Sequence, residues 1–391
     1  VRLLIANDGF GDAGGVETYL AGILPELQRR GHDVTCLATN PRTFVSGDAI
    51  ANKFPLITSA NGSAEKALEA VRHLQPDLCF SHNMGDLIFE RKLTELVPMV
   101  KFMHGYFGTC IGGHKSHLWP QPQPCSRKFG AACLALYYPR RCGFWNPRVF
   151  WRDYRWARQQ KHLFDCYRAM VVASEHMRSE YIRHGVPSEK IMAAPLFPLS
   201  AAPEMVEKPE VGHIIFLGRI TRLKGPDLLI QAVAQARQKR DFPWKITIAG
   251  EGPWRAHCER LAFRLGVPAT FPGWVQAEAK TELLQRAWLL AVPSVWPEPF
   301  GLTGLEAAVY GVPAIGFDVG GLSEWLKHEK NGLLAPEVTA LALAEALQRL
   351  VEEPALWLRL AEGARRQAAG MTIERHVDHL GKLFEHCSRL S

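Results

Sequence analysis

No run of about 18 or more apolar residues occurs in this 391-residue chain, which excludes a protein built of membrane-spanning helices. The first residues, VRLLIANDGFGD, lack the basic, apolar and small-residue order of an export leader, so the expected location is the cytoplasm. Residue 1 is Val, and a trimmed segment ahead of it stays open. Cysteine is sparse: nine residues, an odd number, do not make a disulfide scaffold, and most are expected to be reduced. Repeats at solenoid periods and low-complexity tracts are also missing, which excludes an array protein. Excess charge is missing from most of the chain. The formal net charge is +7, yet between Arg127 and Lys161 nine Lys or Arg face a single acid, Asp153, and the remainder is within one unit of neutral.

What is present is the composition of a globular enzyme, 47% apolar and 22% charged, in a chain too long for one hydrophobic core, so two domains are expected. Short apolar or β-branched runs alternate with helical patterns, the mark of βαβ units. They predict strands at Arg2–Ala6, Asp33–Ala38, Asp77–Ser81, Met99–Met103 and Ala169–Ala173 in the first half. The second half offers His213–Gly218, Lys245–Ala249, Ala269–Phe271, Leu289–Pro293 and Pro313–Phe317. Between the sets, proline-dense Pro195–Gly212 reads as a linker. The tail from Thr339 reads as two or three helices, with Leu341, Leu343, Leu347 and Leu350 at helical spacing.

Two glycine clusters follow predicted strands. In the first, Asn7 to Glu17, Gly9, Gly11 and Gly14 match G-x-G-x-x-G, so a dinucleotide oxidoreductase is one reading. The next strand, however, ends in Thr39-Asn40-Pro41-Arg42, with no acid for ribose hydroxyls, although Arg42 would suit a 2′-phosphate. The other reading is a helix start whose bare N–H groups face any phosphate-bearing ligand. The second cluster is more specific. Pro297 and Pro299 hold Glu298 extended and outside the helix that Gly301 to Thr303 open, and Glu306 lies about a turn inside it. Lone glutamates at helix starts ordinarily complement the dipole. Two of them around a glycine turn suit a ligand rich in both phosphate and hydroxyl.

Glu298-Pro-Phe-Gly-Leu-Thr-Gly-Leu-Glu306 resembles the E-x7-E motif of family 4 retaining glycosyltransferases. Gly218-Arg219-Ile-Thr-Arg-Leu-Lys224-Gly225 is similar to that family's G-R-x4-K-G segment, and Gly14-Gly15-Val16-Glu17 to its G-G-V-E turn. Ile248–Pro253, Phe271–Val275, Gly320–Glu324 and Asn331–Leu334 match in order and spacing. The resemblance implies the GT-B architecture, two Rossmann-like, doubly wound α/β domains facing across a cleft. Residues 1–195 would hold the acceptor, residues 196–371 the nucleotide diphosphate sugar donor, and residues 372–391 a helix crossing back.

It also implies roles. Arg219 and Lys224 would stabilise charge on the leaving diphosphate without a metal or other cofactor. Glu298 would hold donor-sugar hydroxyls and Glu306 the ribose, with Gly14, Gly15, Gly250, Phe300, Gly301 and Leu302 completing the donor site. His104, ending a predicted strand, matches the family histidine that reaches the donor sugar; a histidine capping a strand is the plainer alternative. His82 would stand on the acceptor side. Retention would follow a front-face, ion-pair-like route in which the leaving phosphate helps deprotonate the acceptor. A sugar-nucleotide epimerase of the same architecture and a non-catalytic GT-B binding subunit are the rival readings.

Two features depart from the family. Pro195-Leu196-Phe197-Pro198 stands where members often read Asn-Gly-Val-Asp. The segment Thr109–Gly143 looks inserted, and its Cys110, Cys125, Cys133 and Cys142 either bind Zn²⁺ without the usual C-x2-C knuckle or are buried thiols or disulfides. The basic stretch 127–161 interleaves arginines with aromatics and matches no nucleic-acid module. It is either an amphipathic helix with a solvated basic face or a patch for an anionic membrane, which would place a lipid-linked or envelope-polysaccharide acceptor at the inner face of the bilayer.

Overall fold

A computed structural model of the chain describes residues 1–11, 14–40, 53–58, 64–199 and 208–389. Arg42 and the centre of the linker, residues 200–207, lie outside the described residues. The first half contains β1 (Arg2–Asn7), β2 (Asp33–Ala38), β3 (Leu56–Thr58), β4 (Leu78–Ser81), β5 (Met99–Met103), β6 (Ser116–His117), β7 (Gln123–Pro124), β8 (Ala169–Val172) and β9 (Ile191–Ala193). The second contains β10 (His213–Leu217), β11 (Lys245–Ala249), β12 (Ala269–Gly273), β13 (Leu289–Val292), β14 (Ala314–Phe317) and β15 (Gly332–Ala335).

Seven strands form one sheet in the order β3-β2-β1-β4-β5-β8-β9, and six form another in the order β12-β11-β10-β13-β14-β15. Neighbours pair in parallel in both sheets, so helices cover both faces and the central strands are continuous apolar runs. All residues of β4, β8, β13 and β14 are buried. The chain is thus two doubly wound α/β units. β3, β9 and β15, which the strand reading lacked, are short strands at sheet edges, where alternation and apolar length give the weakest signal. Each sheet reverses its strand order once, between β1 and β4 and between β10 and β13. Loops leaving the carboxyl ends at such a reversal diverge and open a crevice.

The tail forms helices Ala340–Glu352, Pro354–Gly370 and Ile373–Arg389. Leu343, Leu347 and Leu350 are buried, but Leu341 falls off their stripe and is exposed. The last helix lies on the first sheet's side of the molecule. Phe384 packs on Phe80 with ring centroids 5.0 Å apart, and Asp378 pairs with Arg30 at 2.7 Å. His376 Nδ1–H donates to the Pro195 carbonyl (2.9 Å), so its Nε2 accepts from the Tyr19 hydroxyl (2.7 Å). Phe197 is buried in the same cluster, so this end of the linker is pinned to the first helix, Gly15–Arg29. The excursion between β5 and β8 has its own small core of Ile111, Phe129, Tyr137, Phe150 and Ala157.

Candidate active site

The loops after β10 and β13 form one wall of the second crevice. Lys224 ends a short turn, Arg222–Lys224, closed by Gly225 with φ 66°. A Cβ on Gly225 would stand 2.0 Å from the Pro293 carbonyl oxygen, so only glycine lets the two loops pack together. Val295 N–H donates to the Leu223 carbonyl (2.9 Å) and ties them further. This brings Lys224 Nζ to 2.6 Å from Glu298 Oε1 and 5.0 Å from the centre of the Trp296 ring. The Ser294 hydroxyl donates to the same carboxylate oxygen. Glu298 is 4% exposed, and its carbonyl accepts from Gly321 N–H (2.6 Å). The carboxylate is thus held by lysine and hydroxyl, and the main chain that carries it by Gly321.

Gly301 is left-handed, φ 88°, and opens the helix Leu302–Val309 without a side-chain cap, which leaves first-turn N–H groups for an anion. Glu306 is buried a turn in, 2.5 Å from Lys280 Nζ on helix Ala277–Arg286. Other expected members stand differently. The Phe300 ring is in the core and its carbonyl accepts from Trp325 Nε1 (2.7 Å), so Phe300 offers a ligand only main chain. Leu302 packs half-buried on the core. Gly250 N–H is taken by the Gly273 carbonyl (2.7 Å), because that turn must close on β12; it holds the turn and presents no donor. Arg219 is exposed and joins no ion pair among the described residues, so its guanidinium is free while Lys224's charge is engaged.

The first sheet's crevice has a different character. Asp8, just beyond β1, accepts Gly85 N–H at 3.0 Å and the Thr39 hydroxyl at 2.6 Å, bridging the two sides of the strand reversal. Gly14 and Gly15 are exposed at the uncapped start of helix Gly15–Arg29, next to residues 12 and 13, which lie outside the described residues. His82 and His104 end neighbouring strands and meet, Nδ1 to Nε2, at 2.9 Å. Buried Lys101 pairs with buried Glu90 (2.7 Å) and donates to the His82 carbonyl, fixing the strand end that carries His82. Burial, then the charge of Lys101, pushes His104 down to about 3, and burial pushes His82 well below the ordinary histidine range. Both rings are neutral.

Neutrality decides the tautomer. His82 Nε2 is buried with no hydrogen-bond partner among the described residues. A buried N–H left unpaired costs about 1–3 kcal/mol, whereas Nε2 without a proton forgoes only an acceptor contact. His82 therefore donates from Nδ1, His104 accepts at Nε2, and the proton of His104 sits on Nδ1 as a donor for a ligand. The two domains meet nearby: Glu175 N–H donates to Glu324 (2.6 Å). The Tyr106 phenol, hydrogen-bonded to His176 at 2.9 Å, is raised by burial first and then by the charges of Glu180 and Glu298.

The four insertion cysteines are free and half-buried, and no group of three or more His, Cys, Asp or Glu among the described residues is placed to hold a metal. Burial pushes Cys142 up to about 12 and raises Cys110, so both are protonated thiols at neutral pH. Helix Pro147–Leu163 carries five of the nine basic residues of the stretch 127–161, burying Phe150, Ala157, Gln160 and Leu163 and leaving Arg148, Arg152 and Arg155 exposed.

Two sequence families match in succession: the Glycosyltransferase Family 4 domain over residues 13–196 and Glycosyl transferases group 1 over residues 203–367. The chain belongs to the family 4-type glycosyltransferases. Among relatives of this family-4 protein, an uncharacterised glycosyltransferase of Methanocaldococcus jannaschii is 35% identical over 36% of each chain. D-inositol 3-phosphate glycosyltransferase of Pseudarthrobacter chlorophenolicus is 26% identical over 95% of this chain and 94% of its own. In structure, HepE of Anabaena, solved with UDP, superposes with a TM-score of 0.70 at 18% identity, covering 98% of this chain and 100% of its own.

The motif residues Lys224, Glu298 and Glu306 thus gather around one crevice of the glycosyltransferase fold. Their partners Ser294 and Lys280 went unmarked in the sequence reading. Ser294 precedes Glu298 by four residues in the same loop and was within reach of the motif; Lys280 comes from a helix whose placement no local pattern specifies.

Proposed function

We propose that this glycosyltransferase moves a sugar from a nucleoside diphosphate donor to an acceptor with retention of anomeric configuration. The observation that carries the reading is Glu298, buried and anchored on Lys224 beside the uncapped helix start at Gly301. The UDP bound to HepE, a protein of similar fold, supports a nucleoside diphosphate as the ligand. The diphosphate lies against Arg219, Lys224 and the helix start, Glu306 takes the ribose, and Glu298 and the Nδ1 proton of His104 take hydroxyls of the sugar. As the bond from the anomeric carbon to the phosphate oxygen breaks, its electron pair stays on the diphosphate, where guanidinium, ammonium and N–H dipoles stabilise it. The acceptor oxygen bonds to the anomeric carbon on the same face and gives its proton to the departing phosphate oxygen. Charge neutralisation by these groups takes the place of a metal ion.

The acceptor lies on the first domain, around the crevice between β1 and β4. Exposed Trp119, Phe144 and Trp145 on the excursion, with Arg141 6.0 Å from the Trp145 ring, support contact with an anionic bilayer and hence a lipid-linked or envelope saccharide. No helix among the described residues is long and apolar enough to cross a membrane, so such contact is at the surface.

The test is release of free nucleoside diphosphate from UDP-, GDP-, ADP- and TDP-sugars. Release with formation of a glycoside is expected. A changed hexose still joined to its diphosphate would make the protein an epimerase, and tight binding without turnover would make it a binding subunit.

A further inference from the structure

We propose that Arg148, Arg152 and Arg155, together with Trp156, form the anion-binding half of the acceptor site and take a phosphate or diphosphate carried by the acceptor. The inference rests on the glycosyl-transfer reading and names the acceptor's chemistry.

Two hollows adjoin at Trp156. The inner one, about 250 Å³, lies at the reversal between β1 and β4, with Asp8 and His82 among its polar groups and Met84, Met103 and Phe107 among its apolar ones. It is smaller than the roughly 300–1,000 Å³ of sites for drug-sized ligands, so it suits a single ring. The outer one is an open groove along helix Pro147–Leu163, lined by Arg148, Trp151, Arg152, Arg155 and Gln159. Trp156 lines both. Its indole N–H donates to the Gly85 carbonyl (3.0 Å) and its ring stands edge-on to Phe107 at 5.5 Å, so the wall between them is fixed.

Residues 148, 152, 155 and 159 recur at helical spacing and share one face opposite buried Phe150, Ala157 and Gln160. Arg152 pairs with Asp153 at 2.9 Å, but Arg148 and Arg155 join no ion pair among the described residues. Like charges lining one groove repel and favour an anion between them, and guanidinium forks match phosphate oxygens in pairs. From Arg148 to Arg155 the helix rises roughly 10 Å, room for more than one phosphate. The inner hollow adjoins the pair His82 and His104. A ring-shaped head in the hollow would bring its hydroxyl toward the donor sugar while a phosphate on that ring extends past Trp156 into the groove.

The probes are glucose 1-phosphate, glucose and UDP, titrated by calorimetry onto the full chain, and phosphatidylcholine vesicles with and without a prenyl diphosphate. Glucose 1-phosphate is expected to bind at least tenfold more tightly than glucose, an advantage lost in Arg148→Glu/Arg155→Glu. That variant should keep its UDP affinity and its melting temperature. Lys224→Ala should do the opposite, weakening UDP while sparing glucose 1-phosphate, which keeps the two anion sites apart. Retention on the prenyl diphosphate vesicles, competed by inorganic pyrophosphate, would assign a lipid-borne phosphate; glucose 1-phosphate binding without retention would assign a soluble one. If a folded, UDP-binding Arg148→Glu/Arg155→Glu holds glucose 1-phosphate as well as wild type, or wild type prefers it no more than glucose, the inference is wrong and the transfer reading stands. If wild type binds no UDP, the reading beneath it fails first.

Discussion

The two crevices lie at equivalent points of two similar sheets, yet they are built from opposite materials. Around β10 and β13 the groups are charged and already paired: Lys224 with Glu298, Lys280 with Glu306. Around β4 and β5 the strand ends carry histidines held neutral by burial, with a charged pair, Lys101 and Glu90, buried beside them as a support. In the proposed reaction a leaving diphosphate needs positive charge fixed in advance, and Lys224, held in place by Glu298, would supply it. On the same reading a sugar hydroxyl needs a directional donor and no net charge, which a neutral imidazole of one tautomer would supply. The same fold position can therefore serve either task, and the side chains on its loops decide which.

The largest effect should come from breaking the charged side. Glu298→Gln or Lys224→Ala is expected to lower transfer by about two orders of magnitude, the scale of one electrostatic contact to a transition state. Initial rates and circular dichroism check it together, and wild-type turnover in a folded Glu298→Gln would remove Glu298 from the mechanism.

Breaking the neutral side should cost less. His104→Ala is expected to lower kcat/KM about fivefold, the scale of a neutral hydrogen bond worth roughly 1 kcal/mol. A loss as large as that of Glu298→Gln would mean that His104 bears charge in the reaction, and the contrast between the crevices would collapse.

Acid should sharpen the contrast through stability. His104 is held at about 3, and His184 and His376 at about 4, each chiefly by burial. Their folded values lie below the unfolded value of about 6.5, so as pH falls through 6.5 the unfolded chain takes protons that the folded one refuses. Their contribution to stability is whole above about pH 6.5 and drains away toward pH 4. The melting temperature should hold level from pH 8 to 7 and fall steadily below 6.5; a level course down to pH 4.5 would contradict the buried neutral histidines. His82→Phe and His376→Phe should flatten part of that slope.

The smallest expected effect is none. Transfer should persist in EDTA, because in the proposed mechanism Arg219, Lys224 and the helix start at Gly301 take the charge-neutralising role of a metal ion. Activity lost with the fold intact and restored by Mg²⁺ or Mn²⁺ would show that these groups do not suffice.

Much of the second sheet's crevice was legible because its constraints are local. Pro297, Pro299 and Gly301 dictate backbone shape within a few residues, and Glu298 and Glu306 lie on one loop and the helix it opens. The first sheet's crevice was not legible in the same way. Trp156 comes from a helix more than 70 residues beyond Asp8 and Gly85, and in the sequence it is one aromatic among several. The tautomer of His104 depends on a missing partner at His82 Nε2, and an absence of that kind exists only once the surrounding side chains are placed.

By itself the sequence determined two parallel, doubly wound sheets, since continuous apolar strands alternating with amphipathic helices can be buried in few other ways. It also determined the glycines that permit the loops their turns. Only the tertiary structure decided which groups meet: that Lys280 reaches Glu306, that Gly250 spends its N–H on the turn it holds, that Phe300 turns inward, and that the last helix returns to Tyr19 and the linker. Those choices follow from packing between elements far apart in the chain, where contact is set by the three-dimensional arrangement of whole helices and sheets and no local preference of the backbone records it.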